Sequence, residues 1–102
     1  MSAMTEVKTK GLDKCWLEDS LNPEKLHLHI TEIPAGTRPH PPHTHSGVEA
    51  FYVLEGSGVI ETESGNIPLQ PNQAVILDAT RVHGLVNTGS TSMKYIVIIT
   101  KP

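Results

Sequence analysis

Residues 43–49, with the sequence HTHSGVE, run directly into an apolar segment at 50–54, AFYVL. The two histidines and the glutamate occupy positions two and four residues apart, and on an extended chain such side chains point to the same face. Phe51 and Val53 continue that face, so its other members are apolar. A carboxylate among apolar neighbours is costly unless it is paired or bound to metal. The stretch therefore predicts a strand that presents two imidazoles and a carboxylate together.

His83 is the candidate for a fourth ligand, about forty residues further along the chain. Together with His43, His45 and Glu49 it would supply three imidazoles and one carboxylate. This combination suits divalent iron, manganese, nickel, copper or zinc. We expect one divalent transition metal at these four residues, and the ligand types alone do not select among the five ions.

Short strands separated by turns account for most of the remaining chain. Glycine and proline occur eight times each, which argues against a helical bundle. Leucine or isoleucine at 26, 28 and 30 alternates with polar residues, the period of a strand with two different faces. Further strands are expected at 48–54, 59–62, 67–69, 74–77, 82–86 and 94–100, with a hairpin turn at 64–66. Seven or eight such strands predict an all-β sandwich or barrel.

The spacing of the candidate ligands resembles that of the cupin superfamily. The run from Gly36 through residues 43–49 to Gly56 resembles the first cupin motif. Residues 72–87 resemble the second, with His83 and Asn87 in the family's places.

Three positions of the second motif depart from the family pattern. Asn72 and Thr80 stand where glycine is usual, and Asp78 stands where proline is usual. Asparagine is the next-best residue for a positive φ, so the first change is mild. The departures affect the expected shape of the loop and leave all four ligand types in place.

The resemblance implies a jelly-roll β-barrel with the metal near one mouth and a homodimer as the assembly. We expect one domain at 21–102, preceded by an N-terminal arm or tail with a first strand at 1–20. Ala50, Tyr52 and Leu54 give the motif strand a second apolar face, which a partner would cover.

The resemblance also implies a metal-dependent enzyme that acts on a small oxygenated acid or sugar. Dioxygenase, isomerase and lyase chemistry all fit, because four protein ligands leave two positions of an octahedral ion for substrate oxygens. A cyclase-type cupin and a non-catalytic module that binds a small ligand are the alternatives.

Three residues outside the ligand set are candidates for a direct role in chemistry. Arg81 lies two residues before His83, so on an extended strand it would share that ligand's face and could hold a substrate carboxylate. Tyr95 could place its hydroxyl in the pocket or pack in the core. His40 lies in a proline-rich loop beside the site, as an acid or base or as a solvated residue. Arg38 also flanks a ligand segment.

We expect structural roles for two further histidines and for the single cysteine. His27 and His29 imitate the H-x-H pattern, but no carboxylate follows four residues after His29, so we expect strand residues and not ligands. Cys15 is expected to be a small buried apolar residue, and a single cysteine excludes an intrachain disulfide.

The charge balance narrows the classes of partner. Eight lysine and arginine residues against eleven acidic ones give a formal net charge of −3, with no basic stripe. Nucleic acid and anionic membranes are therefore not expected as partners. The first ten residues lack the apolar run of a signal peptide, and we expect a cytoplasmic location.

Overall fold

The computed structural model describes residues 3–102, which contain nine strands and no helix, and so no helix able to cross a membrane. An N-terminal hairpin is formed by β1 and β2. The strands are β1 Met4–Val7, β2 Cys15–Glu18, β3 Leu26–Ile33, β4 Val48–Glu55, β5 Gly58–Thr62, β6 Gly65–Leu69, β7 Ala74–Asp78, β8 His83–Val86 and β9 Met93–Thr100. The predicted strands are all present, and the hairpin turn lies at 63–64, one residue earlier than predicted, because Thr62 already pairs with Gly65.

The main body consists of two antiparallel sheets. One has the order β3-β9-β4-β7 and the other the order β6-β5-β8. The all-β jelly-roll prediction is confirmed, but the sheets are not closed into a barrel. The edge strands β6 and β8 of the smaller sheet have five and four residues, which leaves few backbone groups to pair across the seams.

One antiparallel bridge joins the loop before β4 to the smaller sheet. The amide of His43 donates to the carbonyl of His83 over 3.0 Å, and the amide of His83 donates to the carbonyl of His43 over 3.1 Å. The bridge holds the backbones of two predicted ligands side by side.

The hydrophobic core lies between the two sheets. Along β4 the inward residues Phe51 and Val53 are buried, while Tyr52 and Leu54 are only partly buried on the outer side. Glu49 is the first inward residue of this row and is buried as well. The core cluster consists of apolar side chains from both sheets: Ile33, Phe51, Val53, Ile60, Leu69, Leu85, Met93, Tyr95 and Val97.

In the first half of β3, the polar face of the strand points toward the interior of the protein. His29 pairs with Val97 of β9, which in turn pairs with Phe51 of β4, so His29 shares a row with two core residues. Leu28 and Ile30 therefore lie on the outer face of the sheet.

The altered loop of the second motif is a compact turn. Asn72 has a φ of 65°, as expected for a residue in the place of glycine. The Asp78 carboxylate accepts hydrogen bonds from the hydroxyl and amide of Thr80, at 2.6 and 3.0 Å, which hold the pKa of Asp78 below its usual range. The amide of Arg81 closes the turn on the Asp78 carbonyl at 3.2 Å. The turn leads directly into β8 and His83.

Asn87 holds two loops together from a fully buried position. Its Nδ2 donates to the carbonyls of Ile33, Pro34 and Thr91, at 3.3, 3.2 and 2.9 Å. Its Oδ1 accepts from the amide of Gly89 at 2.9 Å. Buried polar groups need such partners, so the contacts of Asn87 in this chain are those of a structural residue.

Candidate metal centre

Three imidazoles meet where the loop before β4 approaches β8. His43 and His45 come from the loop, and His83 is the first residue of β8. One nitrogen from each ring lies within 4.8 Å of the others. Two backbone contacts fix the three histidines in place. One is the bridge between His43 and His83, and the other is a hydrogen bond of 2.9 Å from the His45 amide to the Ala79 carbonyl. Three imidazoles this close are able to hold one metal ion.

The hydrogen bonds of the rings leave the same nitrogen free in each histidine. The Nδ1 atoms lie 3.1, 3.0 and 2.9 Å from the backbone carbonyls of Pro41, Ser46 and Arg81 respectively. A carbonyl only accepts, so each Nδ1 must carry the proton. The three Nε2 atoms are then available as ligands, and a carbonyl partner of this kind is the usual way to orient a metal-binding imidazole.

Glu49 faces this cluster from β4. The residue is only 5% exposed. Its Oε1 lies 2.9 Å from Nε2 of His45 and 2.9 Å from Nε2 of His83. One carboxylate oxygen of Glu49 therefore contacts the imidazoles of two histidines.

The polar atoms of the cluster fit a cation. The buried Nε2 of His83 makes no hydrogen bond, although it lies 2.9 Å from Oε1 of Glu49. His45 meets an acceptor at both nitrogens, the Ser46 carbonyl and the Glu49 carboxylate. A neutral imidazole has only one N–H donor, so Nε2 of His45 needs either a second proton or a cation to face the Glu49 carboxylate. A metal ion held by the Nε2 atoms and Oε1 would meet this need.

Gly47 allows the short loop between His45 and Glu49 to close. Its φ is +97°, and a Cβ at this position would lie 1.8 Å from the carbonyl oxygen of Thr100. The carbonyl of Gly47 also accepts from the Ala79 amide at 3.0 Å. Only glycine permits this approach to the end of β9.

The cluster opens into a cavity of about 690 Å³. This volume falls within the range of small-molecule sites. Phe51, Tyr95 and Val97 line the deep part of the cavity. Burial, with a contribution from the Glu49 charge, raises the pKa of Tyr95 to about 12. The Tyr95 hydroxyl therefore keeps its proton and is a possible donor to a bound molecule.

His40 lies at the mouth of the cavity, against His43. Their ring centroids are 4.8 Å apart in an edge-to-face arrangement. Burial, followed by the neighbouring His43, lowers the pKa of His40. His40 therefore lies in the cavity wall beside the cluster, although it remains exposed to solvent.

Arg38 also lines the cavity, but its charge is already paired. Its guanidinium donates to both carboxylate oxygens of Glu61 on β5. This hydrogen bond holds the pKa of Glu61 below its usual range.

Arg81 does not line the cavity that holds the histidine cluster. It belongs to the turn before β8, where the alternation of an extended strand does not apply. Its side chain is 65% exposed, lies 3.7 Å from Glu63 and lines a separate depression. The geometry gives no support to Arg81 as a substrate anchor.

His27 and His29 line the same cavity as the cluster. Both are strand residues, as expected, and they lie outside the three-histidine group found among the described residues. The alternation of β3 showed that the two histidines share a face. It did not show which face is inside, so their place in the cavity was missed.

A family model for the cupin domain matches residues 29–99, more than half of the chain. The chain therefore belongs to the cupin family. The three-histidine cluster and its flanking strands fall within the matched region.

Individual relatives agree with this assignment. An oxalate-binding protein of Thermotoga maritima is 29% identical over 58 residues, which cover 56% of this chain and 48% of that protein. The chain thus spans about half of that relative. A predicted oxalate decarboxylase of the same organism shares the fold with a TM-score of 0.71 and 21% identity over 99% of this chain and 94% of that one. The cupin domain of an XRE-family transcriptional regulator of Enterobacter cloacae has a TM-score of 0.70 and 20% identity over 78% and 84% of the two chains.

Proposed function

We propose that the protein is a metal-dependent cupin enzyme that acts on a small oxygenated acid, with His43, His45, Glu49 and His83 as the ligands of one divalent transition metal. The observation that carries the proposal is the convergence of three unprotonated Nε2 atoms and a buried carboxylate on one wall of a cavity. Nothing else in the described chain combines these donors with room for a ligand.

The ligand class follows from the donors and from the relatives. A divalent ion with four protein ligands accepts two further oxygens, so an acid that chelates through two oxygens matches the open positions. The Thermotoga maritima relatives are described as oxalate-binding and as a predicted oxalate decarboxylase. Oxalate, which chelates through two carboxylate oxygens, is therefore the first acid to test.

Two cavity residues are proposed to act beside the ligands. The Tyr95 hydroxyl, protonated at any physiological pH, would donate a hydrogen bond to an oxygen of the acid. His40, at the mouth and against His43, would exchange a proton with the bound molecule. The metal, when bound, would polarise the oxygens of the acid.

The proposal predicts binding of oxalate that depends on metal. Protein purified without chelator is expected to contain one equivalent of a divalent transition metal, and calorimetry is expected to detect oxalate binding. Protein stripped with chelator is expected to bind no oxalate. Assays for formate, carbon dioxide and oxygen uptake on the same samples distinguish turnover from binding alone. Equal oxalate affinity with and without metal would contradict the proposal.

A non-catalytic binding role is the second candidate. It is favoured by the likeness to the cupin domain of a transcriptional regulator. Tight oxalate binding without turnover in the same assays would select it.

We also propose that the chain forms a homodimer through the outer face of the four-stranded sheet. That face carries apolar side chains of β3, β9, β4 and β7 on neighbouring strands, and Leu26, Val48 and Ile76 are 54, 46 and 74% exposed. Exposed apolar area of this kind marks an interaction surface. A second copy would bury it.

Ile76→Glu is expected to convert this dimer to single chains, because it places a charge at the most exposed of these three apolar positions. Sedimentation velocity measures the change. Ile67→Glu is the matched control, since Ile67 is an exposed isoleucine on β6 of the other sheet. A wild-type protein that sediments as one chain would contradict the proposal.

A further inference from the structure

The cavity wall formed by β3 and the N-terminal arm (residues 3–20) carries polar groups that the metal centre does not use. His27 and His29 of β3 line the cavity, and Lys10 of the arm lines it beside them. Burial and then the charge of Lys10 lower the pKa of His29, while the charge of Glu49 acts in the opposite direction. His29 therefore lies within electrostatic reach of both the arm and the metal centre.

The arm is held against the edge of β3 by backbone contacts. The carbonyl of Lys10 accepts from the amide of Ile30 at 2.9 Å, and the Thr9 hydroxyl donates to the carbonyl of Leu28. Gly11 has a φ of +82°, and a Cβ there would lie 2.3 Å from the Ile30 carbonyl oxygen. Gly11 thus permits the close approach that places Lys10 at the cavity.

The charges of this wall favour an anion. Besides Glu49 and the Arg38–Glu61 pair, the charged residues that line the cavity are Lys10, Lys101 and Glu32. Two cations against one carboxylate leave a net positive charge. The imidazoles of His27 and His29 add N–H donors.

The distance between this wall and the metal centre is one that a single extended ligand would span. β3 and β4 are each paired with β9, and neighbouring strands are about 4.8 Å apart, so the two backbones are separated by roughly 10 Å. Oxalate at the metal would leave the wall of Lys10 and His29 without a partner. A longer acid would bridge the gap.

We propose that Lys10 and His29 form an anion-binding subsite, and that the ligand of this protein is an acid with a metal-chelating group at one end and a second anionic group at the other. This inference rests on the proposed function, because the metal holds the first end. It assigns a specificity role to the N-terminal arm.

The test compares two acids that chelate metal in the same way. 2-Oxoglutarate and 2-oxovalerate share the 2-oxo acid group, and only the former has a second carboxylate. Calorimetry on the Ni²⁺-loaded protein is expected to show tighter binding of 2-oxoglutarate by at least about tenfold, the order expected from a charged hydrogen bond. Lys10→Ala and His29→Leu are each expected to remove most of this preference, with 2-oxovalerate affinity and nickel content unchanged.

Two further variants separate the subsite from general effects on charge and folding. Lys8→Ala removes an exposed lysine of the same arm that does not line the cavity, and it is expected to keep the preference. Gly11→Ala is expected to lose the preference as Lys10→Ala does, because it displaces the arm.

The outcomes distinguish failure of the proposed subsite from failure of the metal-dependent function on which it rests. Equal affinity of the wild type for the two acids, or a preference that survives Lys10→Ala and His29→Leu, would overturn the subsite and leave the metal-dependent function standing. Failure of both acids to bind the nickel-loaded protein, with oxalate also unbound, would overturn both.

Discussion

His83→Ala is expected to abolish stable metal binding. His83 supplies a fully buried nitrogen that has no hydrogen-bond partner in the protein, so its position is explained by the ion it would bind. Loss of a group that only orients a ligand costs about 10–100-fold in metal affinity. We expect loss of the ligand itself to cost at least about a hundredfold, measured by competition with a chelator of known affinity.

His27→Ala is the matched control for this variant. His27 lines the same cavity but lies outside the three-histidine group, so its loss is expected to leave metal affinity unchanged. Circular dichroism should show a folded protein in both variants, because the core between the sheets does not include the ligands. Full metal occupancy in His83→Ala would remove His83 from the centre.

Acid is expected to release the metal over a narrow range of pH. Each of three imidazoles must give up a proton to bind the ion and takes it back when the ion leaves. Apparent affinity should therefore fall by up to about a thousandfold per pH unit once all three imidazoles are protonated in the metal-free protein. Dialysis against buffers from about pH 7.5 to 4, followed by elemental analysis, measures the loss.

The slope of this loss identifies the ligands. His83→Ala, if it retains any metal, should show a shallower dependence, since one proton fewer competes with the ion. Occupancy unchanged down to about pH 4, where histidine is protonated, would contradict a centre built mainly from imidazoles.

Local patterns in the sequence predicted the strands and the face that carries Glu49, while the jelly-roll fold was predicted from the resemblance to the cupin superfamily. Alternation along β4 correctly placed Glu49, Phe51 and Val53 on one buried face, because side chains of a strand alternate without exception where the strand is regular. The prediction that Asn72 adopts a positive φ was also correct, since few residues other than glycine and asparagine accept this conformation.

Predictions that depended on distant contacts were less complete. Arg81 was expected to follow the alternation of the strand predicted at 82–86, but the hydrogen bonds of Asp78 with Thr80 and Arg81 hold it in a turn before that strand. The alternation of β3 was read correctly, yet only its pairing with β9 shows that His29 faces inward. The hairpin of β1 and β2 was not resolved into two strands, because its short apolar segments, in which Met4 and Trp16 are exposed, give no clear pattern.

The antiparallel bridge between His43 and His83 bears on how the two sheets of the protein would separate. Glu49 belongs to the four-stranded sheet and His83 to the three-stranded one, with the bridge as the hydrogen-bonded link between the ligand loop and β8. An ion held by both residues would cross-link the two sheets at this end of the molecule. Separation of the sheets at this end would break bonds to the ion, so a bound metal is expected to slow the opening of the jelly roll.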